Sequence, residues 1–203
     1  MFQRMLQASQ AVLLHPSVAT FEEYEQDDFG GATVYVLVGA VLSAILGAIA
    51  YAIRGPSQAQ LDAAADVSTT SSLAAVVGGN IVGALIGFLI YSVFVYALGR
   101  AFGGTGTLGQ LAYDISLFWA PMAVVRALVD VVAIGPLAIL TGIVGVALAI
   151  YNFYLTYLGV QSGMNLPSNK AIIIVLIPWM LFVLLVCVLI FALGALIGIS
   201  QQQ

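Results

Sequence analysis

The chain has 203 residues, of which 62% are hydrophobic and only 7% charged. About a quarter of a soluble domain is charged, so this chain has too little charge to solvate a globular surface, and a soluble enzyme is excluded. A net charge of −4 leaves no footprint for nucleic acid. A single cysteine, Cys187, excludes a disulfide framework and any multi-cysteine metal site.

Residues 1–16 place Phe2, Met5, Leu6, Val12 and Leu13 on one helical face, with Gln3, Arg4, Gln7 and Gln10 between them. That spacing predicts a short helix lying in the membrane interface rather than a cleavable leader. His15-Pro16 stops it, because proline disfavours helical geometry in the residue before it. Phe21 to Phe29 follows with five of the nine acidic residues and reads as a solvated lead-in.

Five apolar segments come next, at about 33–53, 73–98, 111–133, 135–160 and 170–198. Crossing a hydrocarbon core of roughly 30 Å takes about 20 apolar residues at 1.5 Å each. The run from Leu111 to Val160 is too long for one crossing, and Gly135-Pro136 divides it. In lipid each backbone amide needs an internal partner, so these segments must be helices. The expected fold is therefore all-α: residues 1–32 as a cytoplasmic segment with an interfacial helix, 33–198 as a five-span membrane domain, and 199–203 as a polar tail. Ser71 or Ser72 is placed to cap the second span after a polar link at 55–72.

Five crossings put the termini on opposite sides. With the N-terminus in the cytoplasm, Arg4, Arg100 and Lys170 lie inside and Arg54 outside, the sign the positive-inside rule requires. Arg126 sits within or near the end of the third span, and if it emerges outside the count is three against two.

Small residues at four-residue spacing let helices approach in lipid. Gly79, Gly83 and Gly87 form such a stripe in the second span, and Gly39, Ser43 and Gly47 in the first. Packing within one subunit is the plainer reading; a dimerisation face is the sharper one. Asn80 and Asn152 lie inside spans and are expected to bond neighbouring helices. Tyr91, Tyr96, Tyr151, Tyr154, Tyr157 and Trp179 read as interface belt or packing, with an aromatic-lined lipid groove as the alternative.

Arg126 and Asp130 are four apart and share a helix face. Charges in a span are functional candidates by default, here for a gate, an ion site or a clasp. The competing reading is that both reach the headgroups near the Gly135-Pro136 break. Gly104 to Gly109 matches the dinucleotide pattern G-x-G-x-x-G, but it follows a span instead of a strand and reads as a flexible turn. His15 is the sole histidine, and no G-x-S-x-G elbow occurs. Asp130 is the one acid expected at membrane depth. No cofactor and no enzymatic chemistry are expected.

Several segments resemble the Yip family of small membrane proteins, in its prokaryotic branch. Leu14-His15-Pro16-Ser17-Val18-Ala19-Thr20-Phe21-Glu22 is similar to the family's entry segment, with Pro16 and Phe21 its marks. Leu98 to Gly104 and Leu108-Gly109-Gln110 continue the likeness. Phe118-Trp119-Ala120-Pro121 looks like its aromatic-small-proline step, and Tyr151 to Val160 and Leu166 to Ala171, with Lys170, like the last two spans. The resemblance implies five spans and a cytoplasmic N-terminus. Eukaryotic relatives act in vesicle trafficking and bind Rab-type GTPases through N-terminal regions; here only about 32 residues precede the first span.

These observations lead to a non-enzymatic multi-pass protein of the cell membrane, acting as scaffold or adaptor through its cytoplasmic side. Its contacts would be the lipid bilayer, protein partners on that side and a second copy of itself. A small transporter or channel built on Arg126 and Asp130 is the first alternative, and a lipid-binding protein the second.

Overall fold

The computed structural model describes residues 2–54 and 73–200. Every element among them is helical: α1 Phe2–Leu14, α2 Val18–Tyr24, α3 Phe29–Arg54, α4 Leu73–Ala101, α5 Leu108–Val131, α6 Leu137–Gly163 and α7 Ser168–Ser200. The expected polar link at 55–72, with its Ser71 or Ser72 cap, and residues 201–203 of the tail fall outside the described residues.

Each of the five apolar segments is a helix, but four rather than five are long and apolar enough to cross a membrane: α3, α4, α6 and α7. The exception is α5, the expected third span. Gln110, Asp114, Ser116, Arg126 and Asp130 interrupt its apolar surface. Its place comes from protein contact instead of lipid, because every residue from Leu111 to Phe118 is buried. Helix α5 is the hub, packing most extensively on α3 and then on α6. It runs parallel to α3, with Gly39 against the Ala120 backbone at 2.8 Å for an added Cβ, and antiparallel to α6, with Gly163 against Leu111 at the same distance. These contacts explain small residues at Gly39 and Gly163: a side chain at either would push the helices apart.

The N-terminal segment is not a solvated lead-in. Ser17 caps α2 by accepting from the Thr20 amide at 3.1 Å. Phe21 is fully buried and meets Phe118 edge to face at 6.3 Å. Asp28 accepts from the Gly31 amide at 2.8 Å, so α3 starts four residues before the apolar run does. Helix α1 buries Met5, Ala8, Ser9 and Val12 on the bundle and turns Phe2, Leu6 and Leu14 outward. The Ser9 hydroxyl pairs with that of Tyr35 at 2.8 Å, and the Tyr151 hydroxyl donates to the Leu13 carbonyl at 2.6 Å.

Packing is lopsided along the bundle. The core gathers where α1, α2, the α4–α5 link and the α6–α7 turn meet; this end is called the platform below. At the other end Ile139, Ile143, Val146 and Ile150 of α6 are all more than 60% exposed. Apolar side chains left open there suit a lipid surround, which asks no burial of them.

Candidate functional site

The platform is assembled from loops that are pinned rather than free. Thr107 caps α5 in a reciprocal capping box with Gln110. Its hydroxyl also donates to Asp27 Oδ1 at 2.8 Å. The Asp27 carboxylate thus lies at the positive end of the α5 dipole, where an anion is favoured. Gly109 leaves the space that this carboxylate occupies. The supposed flexible turn at 104–109 is therefore ordered, and its glycines serve close approach. Gly104 and Gly99 admit the Met164 side chain, Gly106 abuts the Gly163 carbonyl, and the Thr105 amide donates to the Met164 carbonyl at 3.0 Å.

Three cations gather here. Arg100 donates to the Gly104 carbonyl at 3.1 Å and Lys170 to the Phe102 carbonyl at 2.9 Å. Arg4 reaches Gln26, whose amide oxygen, turned as its neighbours require, accepts from Nε at 3.0 Å and Nη1 at 3.3 Å. Both acceptors lie in the link that follows α4, whose own last carbonyls at Leu98, Gly99 and Arg100 accept from backbone amides.

Beneath this surface lies Asp114, with no exposure at all. Ser162 Oγ of α6 lies beside the carboxylate, but neither it nor either carboxylate oxygen makes a hydrogen bond of ordinary geometry among the described residues. Gly159 and Gly163 give the side chain its room. Glu25 faces the same region and holds one oxygen buried without a partner. Burial first, and then the charges of Glu22 and Asp27, push the Glu25 carboxyl above its ordinary value. The buried acid is thus Asp114, a residue that the sequence did not single out. Its signal was an acid six residues into a helix whose neighbours on both sides are apolar or aromatic.

Arg126 and Asp130 are exposed in the last turns of α5, at the end away from the platform. Asn80 is exposed on α4. Gly79, Gly83 and Gly87 face open space among the described residues, with nothing there within 4 Å of an added Cβ. Of the two stripes expected to pack, Gly39 of the first makes a close intrasubunit contact, against Ala120. A glycine stripe reads the same in sequence whether it meets a helix or lipid. Of the motif residues, Pro16 separates α1 from α2, Pro121 lies inside an unbroken α5, and Lys170 sits in the first turn of α7.

Asn152 and Trp119 come together in a second place. A cavity of about 320 Å³ is lined by Tyr91 of α4, Trp119 of α5, Asn152 and Thr156 of α6, and Pro178 and Trp179 of α7. Tyr91 and Trp119 are 5.4 Å apart between ring centres. The Tyr91 hydroxyl lies against that of Thr156, which itself donates to the Asn152 carbonyl at 2.7 Å.

Four long apolar helices, two of them packed closely on a more polar and half-buried fifth, define a multi-pass helical membrane protein. The chain belongs to the Yip1 domain family, which matches residues 11–190. Every resemblance motif from Pro16 to Lys170 falls inside that range. No curated protein and no solved structure matches the chain.

Proposed function

We propose that this Yip1-domain protein is a non-enzymatic membrane scaffold or adaptor whose platform faces the cytoplasm. One observation carries the reading: residues 2–28 are folded onto the ends of α5 and α6 as part of the core, so that they present a fixed surface. That surface shows Glu22 and Glu23 to solvent beside the outward Phe2, Leu6 and Leu14 of α1. The apolar trio suits contact with the headgroup layer, leaving the acids for a basic partner surface.

Orientation follows from charge. Arg4, Arg100 and Lys170 share the platform end, the arrangement the positive-inside rule assigns to the cytoplasm. Since α6 crosses and ends at the platform, the 132–136 link belongs to the opposite face. In this reading α5 carries the chain there, its first half buried in protein and its last turns open, a fifth crossing that puts the C-terminus outside.

The test is a photo-crosslinking residue at position 23 and, separately, at 139, in native membranes. Protein adducts are expected from position 23, and are expected to fall sharply when the neighbouring Glu22→Lys is introduced into a protein that still folds. Equal adducts from position 139, or adducts indifferent to the charge reversal, would refute the adaptor reading. Deleting residues 1–28 is a poor test, because it also removes Met5, Val12 and Phe21 from the core.

A further inference from the structure

We propose that the cavity between α4, α5, α6 and α7 binds an uncharged amphiphile from the bilayer, its hydrogen-bonding head on Asn152 and its apolar part along Trp119 and Trp179. Depth is the first argument. The lining residues Tyr91, Trp119, Asn152 and Pro178 lie ten or eleven residues from the platform ends Ala101, Leu108, Gly163 and Ser168. At ~1.5 Å per residue that is roughly 15 Å, about the middle of a hydrocarbon core. Polar side chains there are costly unless they are partnered or line a site.

The second argument is the state of Asn152. Its backbone carbonyl is used by Thr156, yet its half-buried side-chain amide makes no hydrogen bond among the described residues. The Tyr91 hydroxyl lies beside Thr156, whose own proton goes to the Asn152 carbonyl, so the amide is the group left to offer two donors and an acceptor. Proline at 178, inside α7, removes one amide donor from that helix and so leaves a carbonyl at the same level short of its usual partner.

The third argument concerns charge and shape. None of the six lining residues is ionisable at neutral pH, so an ion entering from lipid would meet no counter-charge. At about 320 Å³ the cavity stands at the small end of ligand sites, enough for a head and the start of a chain. Trp179 is 40% exposed and the neighbouring Met180 68% exposed, which puts the mouth on the lipid-facing side of α7. A tail can leave that way without entering water. The proposal stands apart from the adaptor reading, and neither depends on the other.

The chain's two tryptophans both line the cavity, which makes their fluorescence a direct probe. Purified full-length protein in a non-quenching detergent is titrated with a long-chain alcohol brominated beside its hydroxyl. Quenching is expected to reach a plateau and to be reversed by the unbrominated alcohol, but not by the matching ionised carboxylate. Asn152→Leu keeps both tryptophans and is expected to raise the half-quenching concentration about tenfold or more. Quenching that never saturates, equal competition by the carboxylate, or an unchanged midpoint in a folded Asn152→Leu protein would overturn the proposal. Should that variant not fold, competition on the unmutated protein decides alone.

Discussion

Gly106 and Gly109 are three residues apart and differ in what a side chain would meet. An added Cβ at Gly106 collides with the Gly163 carbonyl, and both partners are backbone held in the core. At Gly109 it collides with the Asp27 carboxylate, which can swing away at the cost of its bond to Thr107. Gly106→Ala is therefore expected to destabilise by about 2 kcal/mol or more, and Gly109→Ala by about 1 kcal/mol. Gly83→Ala, in open space within α4, is expected to be neutral or to gain about 0.5–1 kcal/mol from backbone entropy. Thermal unfolding of the three variants in one detergent, followed by helical circular dichroism, gives the order. Asp114 yields a second expectation at this scale. A buried carboxylate without a partner costs stability, so Asp114→Asn is expected to keep or raise the melting temperature by a few degrees. A marked fall would show that Asp114 has a partner. Asp114 did not stand out in the sequence, and Gly106 and Gly109 stood out only as part of a pattern read as a flexible turn. A lone acid or glycine in a helix carries no mark of which face it occupies, and the open stripe at 79–87 was the more regular pattern.

At the scale of elements, the four apolar helices, the stop at Pro16 and the break at Gly135-Pro136 were all legible, because each rests on local rules of length, hydropathy and backbone geometry. Helix α2 was not. Five acids around it hid one fully buried phenylalanine and a Ser17 cap, and only the fold supplies the Phe118 ring that Phe21 meets. Docking of this element is expected to depend on pH through Glu25. The Glu25 carboxyl is raised above 4.5 by burial, with Glu22 and Asp27 adding to it, so its folded form favours the proton. The folded state then binds more protons than the unfolded one between the two values, and stability falls as pH rises. The contribution is complete below the unfolded value and is lost as pH climbs through the folded one. Hydrogen-exchange protection of residues 2–28, each rate taken relative to the intrinsic rate at the same pH, is expected to be higher at mildly acidic pH than at pH 8, and Glu25→Gln is expected to flatten the difference. Lower protection at the lower pH would assign Glu25 the opposite environment.

For the whole molecule, the decisive quantity is where each helix end lies relative to the bilayer. Apolarity alone counts four crossing helices, since α5 spends its first half in contact with α3 and α6. Geometry adds a constraint that hydropathy does not see. The end of α6 at Gly163 packs on Leu111 at the start of α5, so the two helices leave the platform together and antiparallel. Twenty-four residues of α5 reach ~36 Å, enough to traverse the same thickness. The two ends of α6 cannot share a face if α6 crosses, and Gly135 joins its far end to α5. Single cysteines placed at Gln3, Thr105 and Gly135 in a Cys187→Ser background convert this into a measurement, because all three positions are exposed. A membrane-impermeant maleimide applied to intact cells is expected to label position 135 only, and to reach positions 3 and 105 after the membrane is opened. Labelling of 105 and 135 from one side would mean that α5 turns back within the bundle. Labelling of 3 and 105 from outside would reverse the orientation while leaving the platform intact, and an adaptor would then have to serve partners beyond the cell surface.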